Sequence, residues 1–259
     1  MLNELISRLA SNFTKKPTTK YYNTWQSAEN QCDGYATTAI LESVVKASRS
    51  VAKGEALYER DGVTYRHFAE NAHLVSALRH IAKTEGQFQV LDFGGALGSI
   101  YRQHRWFLND FTDFVWCVVE QKTFVETGKE MFENNKLKFE SSISEAYSHY
   151  KPNIALMSNA LQRVENPFDV LDEVAKFNIP YLFIDRTPVI ESAENRITRS
   201  IFPAKSCHAT YPSWLFSEKD FKTKLQKHYR IIDEFDTHEE SENTHLSGSR
   251  QLGFFCEKI

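Results

Sequence analysis

Six residues, Phe88 to Phe93, run straight into three glycines within five positions, Gly94, Gly95 and Gly98, and then into a helix-compatible segment over 99–108. An apolar run that stops at glycines just ahead of a helix reads as a buried strand, a tight turn and a helix N-terminus. Glycine takes positive φ and lets backbone approach a ligand, and the open N–H groups of the following helix favour a polar or anionic group. The spacing departs from the G-x-G-x-x-G dinucleotide fingerprint, and no P-loop lysine follows. A dinucleotide or nucleoside triphosphate is therefore disfavoured. A nucleoside-type ligand beside the strand end stays open, as does a turn with no ligand.

Downstream of this junction the pattern alternates. Strands are expected at 114–119, 137–139, 153–157 and 179–184, with helices at 99–108, 123–134, 143–150 and one starting at Asn166-Pro167. Asn followed by Pro is a favoured cap-then-first-turn order. Such alternation specifies a mostly parallel sheet covered on both faces. Two more strands, 229–235 and 251–257, form an antiparallel hairpin around the polar run 237–249. Upstream, helices are expected at 34–50 and 64–83, with a turn at Asp61-Gly62 and an irregular arm over 15–30. The division is thus an N-terminal extension of arm and helices, 1–84, packing on or lidding an α/β domain, 85–259. Residues 186–212, with three prolines, read as an irregular insertion, which often shapes a site.

Ligands of open α/β sheets bind outside the carboxyl ends of the strands. Those ends carry Asp92 with its glycines, Glu120-Gln121, Ser158-Asn159 and Asp185-Arg186. A carboxylate at Glu120 suits a ribose diol; the alternative is a solvated strand end. Asp92 can tie the glycine turn together through backbone N–H groups. Asp185 is the candidate general base, and Arg186 a two-point grip for carboxylate or phosphate; an internal Asp–Arg pair is the plainer reading. His208 is a second candidate proton acceptor. Glu59, Arg60 and Asp61 cluster charge beside Tyr58 ahead of the core, as a lid or a solvated turn. Tyr101–Trp106 and Thr198-Arg199 mix basic and aromatic residues that suit an acidic or sugar-phosphate ligand, or are ordinary surface.

Composition narrows the function classes. A net charge of −3 argues against a broad nucleic-acid-binding face. Four scattered cysteines without a C-x-x-C pair suggest neither a disulfide framework nor structural zinc. The nine histidines form no H-x-x-H or H-E-x-x-H array, so no metal is expected. No apolar run reaches membrane-spanning length. The start, 1–13, is weakly amphipathic and lacks a signal-peptide core. A cytoplasmic protein is expected, with contact to the inner membrane surface through that segment as one option. No G-x-S-x-G elbow points to a hydrolase.

The element order, the glycine turn, the acid after the second core strand and the terminal hairpin resemble a class I S-adenosylmethionine-dependent methyltransferase. More narrowly, Leu57–Gly62, Val90–Ser99, Val118–Gln121, Ile184–Pro188 and Tyr211–Trp214 resemble a bacterial methyltransferase family encoded among genes for surface-polysaccharide synthesis. The resemblance runs from about Gly34 onward, and five motifs agree in order. It implies a Rossmann-like fold, S-adenosylmethionine as cofactor, and a saccharide or sugar-phosphate acceptor. It sets the methionine moiety against Asp92, Gly94 and Gly98, with Gly95 beside them. The ribose falls on Glu120, beside Gln121, and the adenosine or acceptor borders Ser158 and Asn159. Tyr58, Arg60, Asp61 and Arg199 become acceptor-binding candidates. Association with glycan-assembly proteins or with a second copy is also implied. One departure is local: the usual turn has G-x-G, whereas here Gly94 and Gly95 adjoin and Ala96 follows. Competing readings are a binding or scaffold protein of glycan assembly without methyl transfer, a small-molecule O-methyltransferase, and an NAD-dependent oxidoreductase or epimerase.

Overall fold

A computed structural model of the chain describes residues 20–34, 38–204, 209–237 and 248–259. The amphipathic start at 1–13, Cys207 and His208 lie outside the described residues. Two helices come first, α1 (Trp25–Glu29) and α2 (Thr38–Ala52). A hairpin of β1 (Tyr58–Arg60) and β2 (Val63–Tyr65) follows, then α3 (Ala72–Glu85). The core proceeds through β3 (Phe88–Phe93), α4 (Ser99–Gln103), α5 (Arg105–Leu108), β4 (Phe114–Val119), α6 (Lys122–Met131), β5 (Leu137–Glu140), α7 (Ile143–Tyr150), β6 (Ile154–Ser158), α8 (Pro167–Lys176) and β7 (Tyr181–Ile190). The remainder is β8 (Arg196–Ile201), β9 (Thr210–Ser217), α9 (Glu218–Leu225), β10 (Tyr229–Asp236) and β11 (Ser249–Lys258).

The main sheet runs β5–β4–β3–β6–β7–β11–β10. Its first five strands are parallel. β11 enters antiparallel between β7 and β10. The chain moves outward from β3 to β4 and β5, then returns to β6 on β3's other side. That reversal opens a crevice at the carboxyl ends of β3 and β6, where such sheets take ligands.

Strand side chains alternate between faces, and two cores follow from the alternation. Val90 of β3, Trp116 and Val118 of β4, Leu156 of β6 and Phe183 of β7 pack with Leu74, Leu78 and Ile81 of α3 and with Phe107 of α5. Leu91, Cys117, Ala155 and Ile184 face the other way, onto Ile143 and Ala146 of α7, Leu171 and Val174 of α8 and Phe221 of α9. A third cluster sits at the sheet's carboxyl end. There Ile40 and Val44 of α2 meet Leu97 of the glycine turn, Phe124 of α6, Phe202 and Tyr211.

The irregular arm expected over 15–30 contains α1, begun by Thr24, whose side chain accepts from Ser27 N, and the expectations differ from the fold in three further places. The helix expected over 64–83 begins only at Ala72: Val63–Tyr65 pairs with Tyr58–Arg60 across an Asp61-Gly62 turn with both φ positive, 49° and 75°. Asp-Gly fits a two-residue hairpin loop of that twist, and the β-branched residue and aromatics around it favour strand over helix. The helix expected over 99–108 breaks at His104, whose backbone (φ −103°, ψ 14°) leaves the helical region. Third, the expected irregular insertion over 186–212 is largely strand. β7 continues through Pro188 to Ile190, and β8 and β9 pair antiparallel, with β9 taking up a parallel place beside Val189 and Ile190. Proline was read as a strand breaker, yet Pro188 stands opposite Gln251 inside the β7–β11 ladder.

No helix among the described residues is long and apolar enough to cross a membrane. Packing across α6 is close: a Cβ added to Gly128 would come within 2.5 Å of Cδ1 of the buried Phe139 ring. Glycine to alanine inside a helix ordinarily gains about 0.5–1 kcal/mol. Here overpacking outweighs propensity, and Gly128→Ala is expected to lower stability by about 1–3 kcal/mol. Urea unfolding at one pH measures the sign; a more stable variant contradicts the packing described.

Candidate functional site

The same alternation that builds the first core decides what lies at its carboxyl edge. Continuing the inward positions along each strand gives Asp92 after Val90, Glu120 after Trp116 and Val118, Ser158 after Ile154 and Leu156, and Asp185 after Tyr181 and Phe183. Register agrees, with Ser158 directly opposite Asp185 on adjoining strands. Four polar groups thus continue the stripe that elsewhere carries Trp116 and Phe183. Three of them are acids at the edge of an apolar core.

Burial sets their electrostatics. Asp92 is 1% exposed, and loss of hydration pushes its carboxyl up to about 7, with the nearby charges of Glu120 and Asp185 adding to the rise. The Trp116 indole N–H, donating to Asp92 Oδ2 at 2.8 Å, and the charge of Arg186 work against it. Glu120 is half-buried, and desolvation raises its pKa although the backbone N–H groups of Gln121 (2.8 Å to Oε2) and Ala96 donate to it. Asp185 Oδ2 accepts from Asn71 Nδ2 at 2.6 Å, whereas its buried Oδ1 has no hydrogen-bond partner among the described residues.

The glycine turn shapes the floor. Gly94 and Gly98 have φ of +73° and +87°, and Gly94 N–H donates to Val119 O at 2.9 Å. A Cβ on Gly94 would stand 2.8 Å from the Ala160 Cβ, and one on Gly95 would strike the Asp92 carboxylate. Ala96, at the position where the usual turn has its second glycine, is left-handed too, at φ 51°. The departure in sequence therefore keeps the glycine-like backbone and stores strain instead.

Two connected spaces open beside this turn. The outer one, ≈ 270 Å³, is lined by Phe93, Gly94, Val119, Glu120, Gln121, Ser141, Asn159, Ala160, Arg163 and Val164. The inner one, ≈ 30 Å³, is bounded by the glycine turn, Ser99, Asp92, Ser158, Asn159 and Arg186, with Arg60, Asp61 and Arg163 closing it. Among the described residues six non-glycines have positive φ, and four of them, Asp61, Ala96, Asn159 and Arg186, line this inner space. Backbone strain of that kind persists where the surrounding structure holds it, and it concentrates at working sites.

The expected residues fall into three groups. Asp92, Gly94, Gly95, Glu120, Gln121, Ser158, Asn159, Arg60, Asp61 and Arg186 line one or both spaces. Gly98 and Asp185 stand just behind the wall. Gly98 caps the turn over Leu137, and Asp185 is flanked by Ser158 and Arg186. Tyr58 and Arg199 are not brought there: Tyr58 is buried with its ring stacked on Tyr65 at 4.7 Å, and Arg199 is exposed on β8 opposite Pro212. The basic-aromatic stripe is divided: Arg102, Gln103 and His104 are buried, whereas Arg105 and Trp106 are exposed. His104 is a fixed structural group, its Nδ1 on Ile100 O at 2.9 Å and its Nε2 accepting from Asn71 N at 3.1 Å. Burial lowers its pKa.

Two residues of the site, Arg163 and Asn71, carry no role in the sequence expectations, and a third, Glu59, figures there only within the charge cluster ahead of the core. Arg163 meets Asp61 through two bonds of 3.0 and 3.2 Å. Glu59, buried beneath the hairpin, accepts from Ser99 Oγ and from Gly62 N at 3.2 Å. Asn71 both caps α3, accepting from Leu74 N at 3.1 Å, and holds Asp185. Asn71 carried a signal, since asparagine favours the N-cap, but it lay inside the helix expected over 64–83. No group of three or more His, Cys, Asp or Glu among the described residues is arranged to hold a metal ion.

No protein-family model matches the chain, and no curated protein matches it. Solved structures do. The N-terminal domain of EvdMO1, crystallised in the presence of SAH and D-fucose, superposes with a TM-score of 0.50 at 10% identity, covering 86% of this chain and 100% of that chain. SpnF, a (4+2)-cyclase, gives a TM-score of 0.50 at 11% identity over 93% of this chain and 98% of that one. An S-adenosylmethionine-dependent methyltransferase from Clostridium acetobutylicum gives 0.44 at 8% identity, over 83% and 98%. At these identities the likeness is one of fold: a mostly parallel, Rossmann-like α/β sheet with an antiparallel hairpin at one edge.

The Asp92 environment yields a stability prediction. Its folded pKa lies above its ordinary value, so the folded chain keeps a proton that the unfolded chain has released. Stability from this group is then greatest below pH 3.8 and declines as pH rises towards about 7. Asp92→Asn keeps an acceptor for Trp116 and removes the titration. Denaturant midpoints at pH 4.5 and 7.5 are expected to show the variant gaining on the wild type as pH rises. A constant difference between the two proteins refutes the raised pKa.

Proposed function

We propose that the chain is an S-adenosylmethionine-dependent methyltransferase that O-methylates a sugar or sugar-phosphate group in surface-polysaccharide synthesis. The observation that carries the reading is Glu120: a carboxylate ending β4, in the wall of a ≈ 270 Å³ cleft that begins at a glycine turn. A carboxylate has about four acceptor sites, and two backbone N–H groups occupy part of that capacity, which suits the two hydroxyls of a ribose. The cleft also passes a test of fit. Its floor at Gly94 is bare backbone, where a Cβ would meet Ala160 and fill the passage. Crystallisation of the EvdMO1 domain with SAH and a deoxysugar supports a nucleoside with a sugar beside it on this fold.

In this reading Glu120 holds the ribose, with Gln121 and Asn159 beside it, and the apolar walls Phe93, Val119 and Val164 cover the base. When bound, the cofactor supplies a sulfonium methyl as electrophile. The acceptor hydroxyl oxygen would form the new C–O bond as the methyl's C–S bond breaks, the electron pair staying on sulfur in the departing thioether, and the hydroxyl proton would go to a base. Asp185 is the proposed base: one carboxylate oxygen is held by Asn71, and the other, buried and without a partner, has capacity for a proton. Arg60 and Arg186, lining the inner space, are the proposed grips for an anionic acceptor. Orientation and exclusion of water supply most of the acceleration in such a displacement.

The SpnF likeness favours a second reading, because the same fold serves a cyclase and fold alone does not fix chemistry. Two measurements discriminate. Glu120→Ala is expected to weaken binding of S-adenosylhomocysteine (SAH) roughly tenfold or more, the loss of a charge-assisted pair of hydrogen bonds; calorimetry that finds equal affinity removes the ribose assignment. Asp185→Asn is expected to keep SAH affinity while losing most methyl transfer to a sugar phosphate, followed with labelled methyl donor. Full turnover by that variant excludes Asp185 as the base.

A further inference from the structure

One clasp stands between the two spaces of the cleft. Asp61, at the tip of the β1–β2 hairpin, is gripped at two points by Arg163 (3.0 and 3.2 Å) and takes a third bond from Asn159 Nδ2 at 3.3 Å. Gly94, Asn159 and Arg163 line both spaces, so these are parts of one groove that the clasp pinches. The outer part has nucleoside dimensions. The inner part, ≈ 30 Å³, has room for about two water molecules at roughly 10–15 Å³ each. With the clasp closed, that space is too small for the amino-acid end of a methyl donor, an ammonium and a carboxylate on a short carbon chain. Yet the charges such a group needs are already in that wall, the carboxylate of Asp61 and the guanidinium of Arg163, and they face each other.

Resting on the methyl-donor reading, we propose that the Asp61–Arg163 ion pair holds the place of the donor's amino-acid end and is exchanged for it on binding. Arg163 turns from Asp61 to the ligand carboxylate, Asp61 is left for the ammonium, and the hairpin tip lifts. The hairpin is built for such a movement. It has three residues in each strand, pairs with no strand of the main sheet, and so depends on contacts beyond its own ladder. Its first strand stays anchored through Glu59, which accepts from Ser99 Oγ of α4 and from Ser48 Oγ of α2, while Asp61 at its tip is held by the clasp. The two side chains are only 12% and 14% exposed. A ligand that engaged only one of them would break the pair and take from the other its two-point partner in a mostly buried wall. The exchange therefore selects for a ligand carrying both signs, and it makes the amino-acid end a specificity element of the site.

The test compares SAH with 5′-methylthioadenosine, which has the nucleoside and thioether but no amino-acid end. Wild type, Asp61→Asn and Arg163→Gln are titrated with each by calorimetry, after thermal melts show that all three fold. Amide hydrogen exchange is followed across 57–65 with and without SAH. Asp61→Asn removes the ammonium's partner and Arg163→Gln the carboxylate's, so each is expected to weaken SAH binding roughly 3–10-fold and to leave methylthioadenosine affinity unchanged. Saturating SAH is expected to speed exchange in the wild-type hairpin. Unchanged SAH affinity in both variants, or SAH bound by the wild type with no change in hairpin exchange, overturns the exchange and leaves the methyl-donor reading standing. Binding of neither ligand by any of the three proteins overturns both.

Discussion

The hydrogen bond from the Trp116 indole to the Asp92 carboxylate is the contact on which the cleft depends. It ties the end of β3 to the middle of β4 on the core face and keeps an acid where the sheet's apolar stripe runs out. The carboxylate so fixed occupies the volume above Gly95, which is why that residue has no side chain. With Gly95 in place, the chain turns through Gly94 and Ala96 in left-handed conformations and delivers α4 beside the crevice. A buried acid is costly by itself. Partial protonation near neutral pH and the indole donor reduce that cost, and the turn geometry is the return.

Much of this was legible in the sequence, for one reason: periodicity. A parallel sheet buried on both faces leaves near-continuous apolar runs, and those at Phe88–Phe93, Phe114–Val119 and Ile154–Ser158 are easy to place. Strand ends then nominate Asp92, Glu120, Ser158 and Asp185, and the period of two puts all four on one face. What the sequence hid were features whose cause is tertiary. Pro188 looked like a stop because proline cannot donate, and only its partner strand shows the ladder continuing across it. His104 and Arg102 looked like surface because charge usually is surface; α4 and α5 turn them inward. Arg163 carried no mark at all, since its partner Asp61 lies 102 residues earlier and meets it through a hairpin that was itself obscured by a helical pattern.

That hairpin belongs to the least autonomous part of the molecule. α2 packs no strand of the main sheet face-on. It rests on the glycine turn, on Phe124 and on the segment around Phe202 and Tyr211, closing the carboxyl end of the sheet from above. α3, by contrast, is core, with Leu74, Leu78 and Ile81 against the strands. The residues ahead of the first core strand thus do two separate things, and the loop between them carries Asn71, which caps α3 and steadies Asp185. Roof and floor of the crevice are fastened at that loop and at the hairpin tip.

The position of β11 bears on how the molecule is made. It follows every other strand in the chain, yet it lies inside the sheet, with β7 on one flank and β10 on the other. Until it is synthesised, β7 presents an open row of amides and carbonyls along most of its length, and β10 has no neighbour in the main sheet. An unpaired, apolar strand flank invites pairing with another chain. The chain is therefore most vulnerable to self-association in the interval before β11 docks, when a single missing ribbon separates β7 from β10.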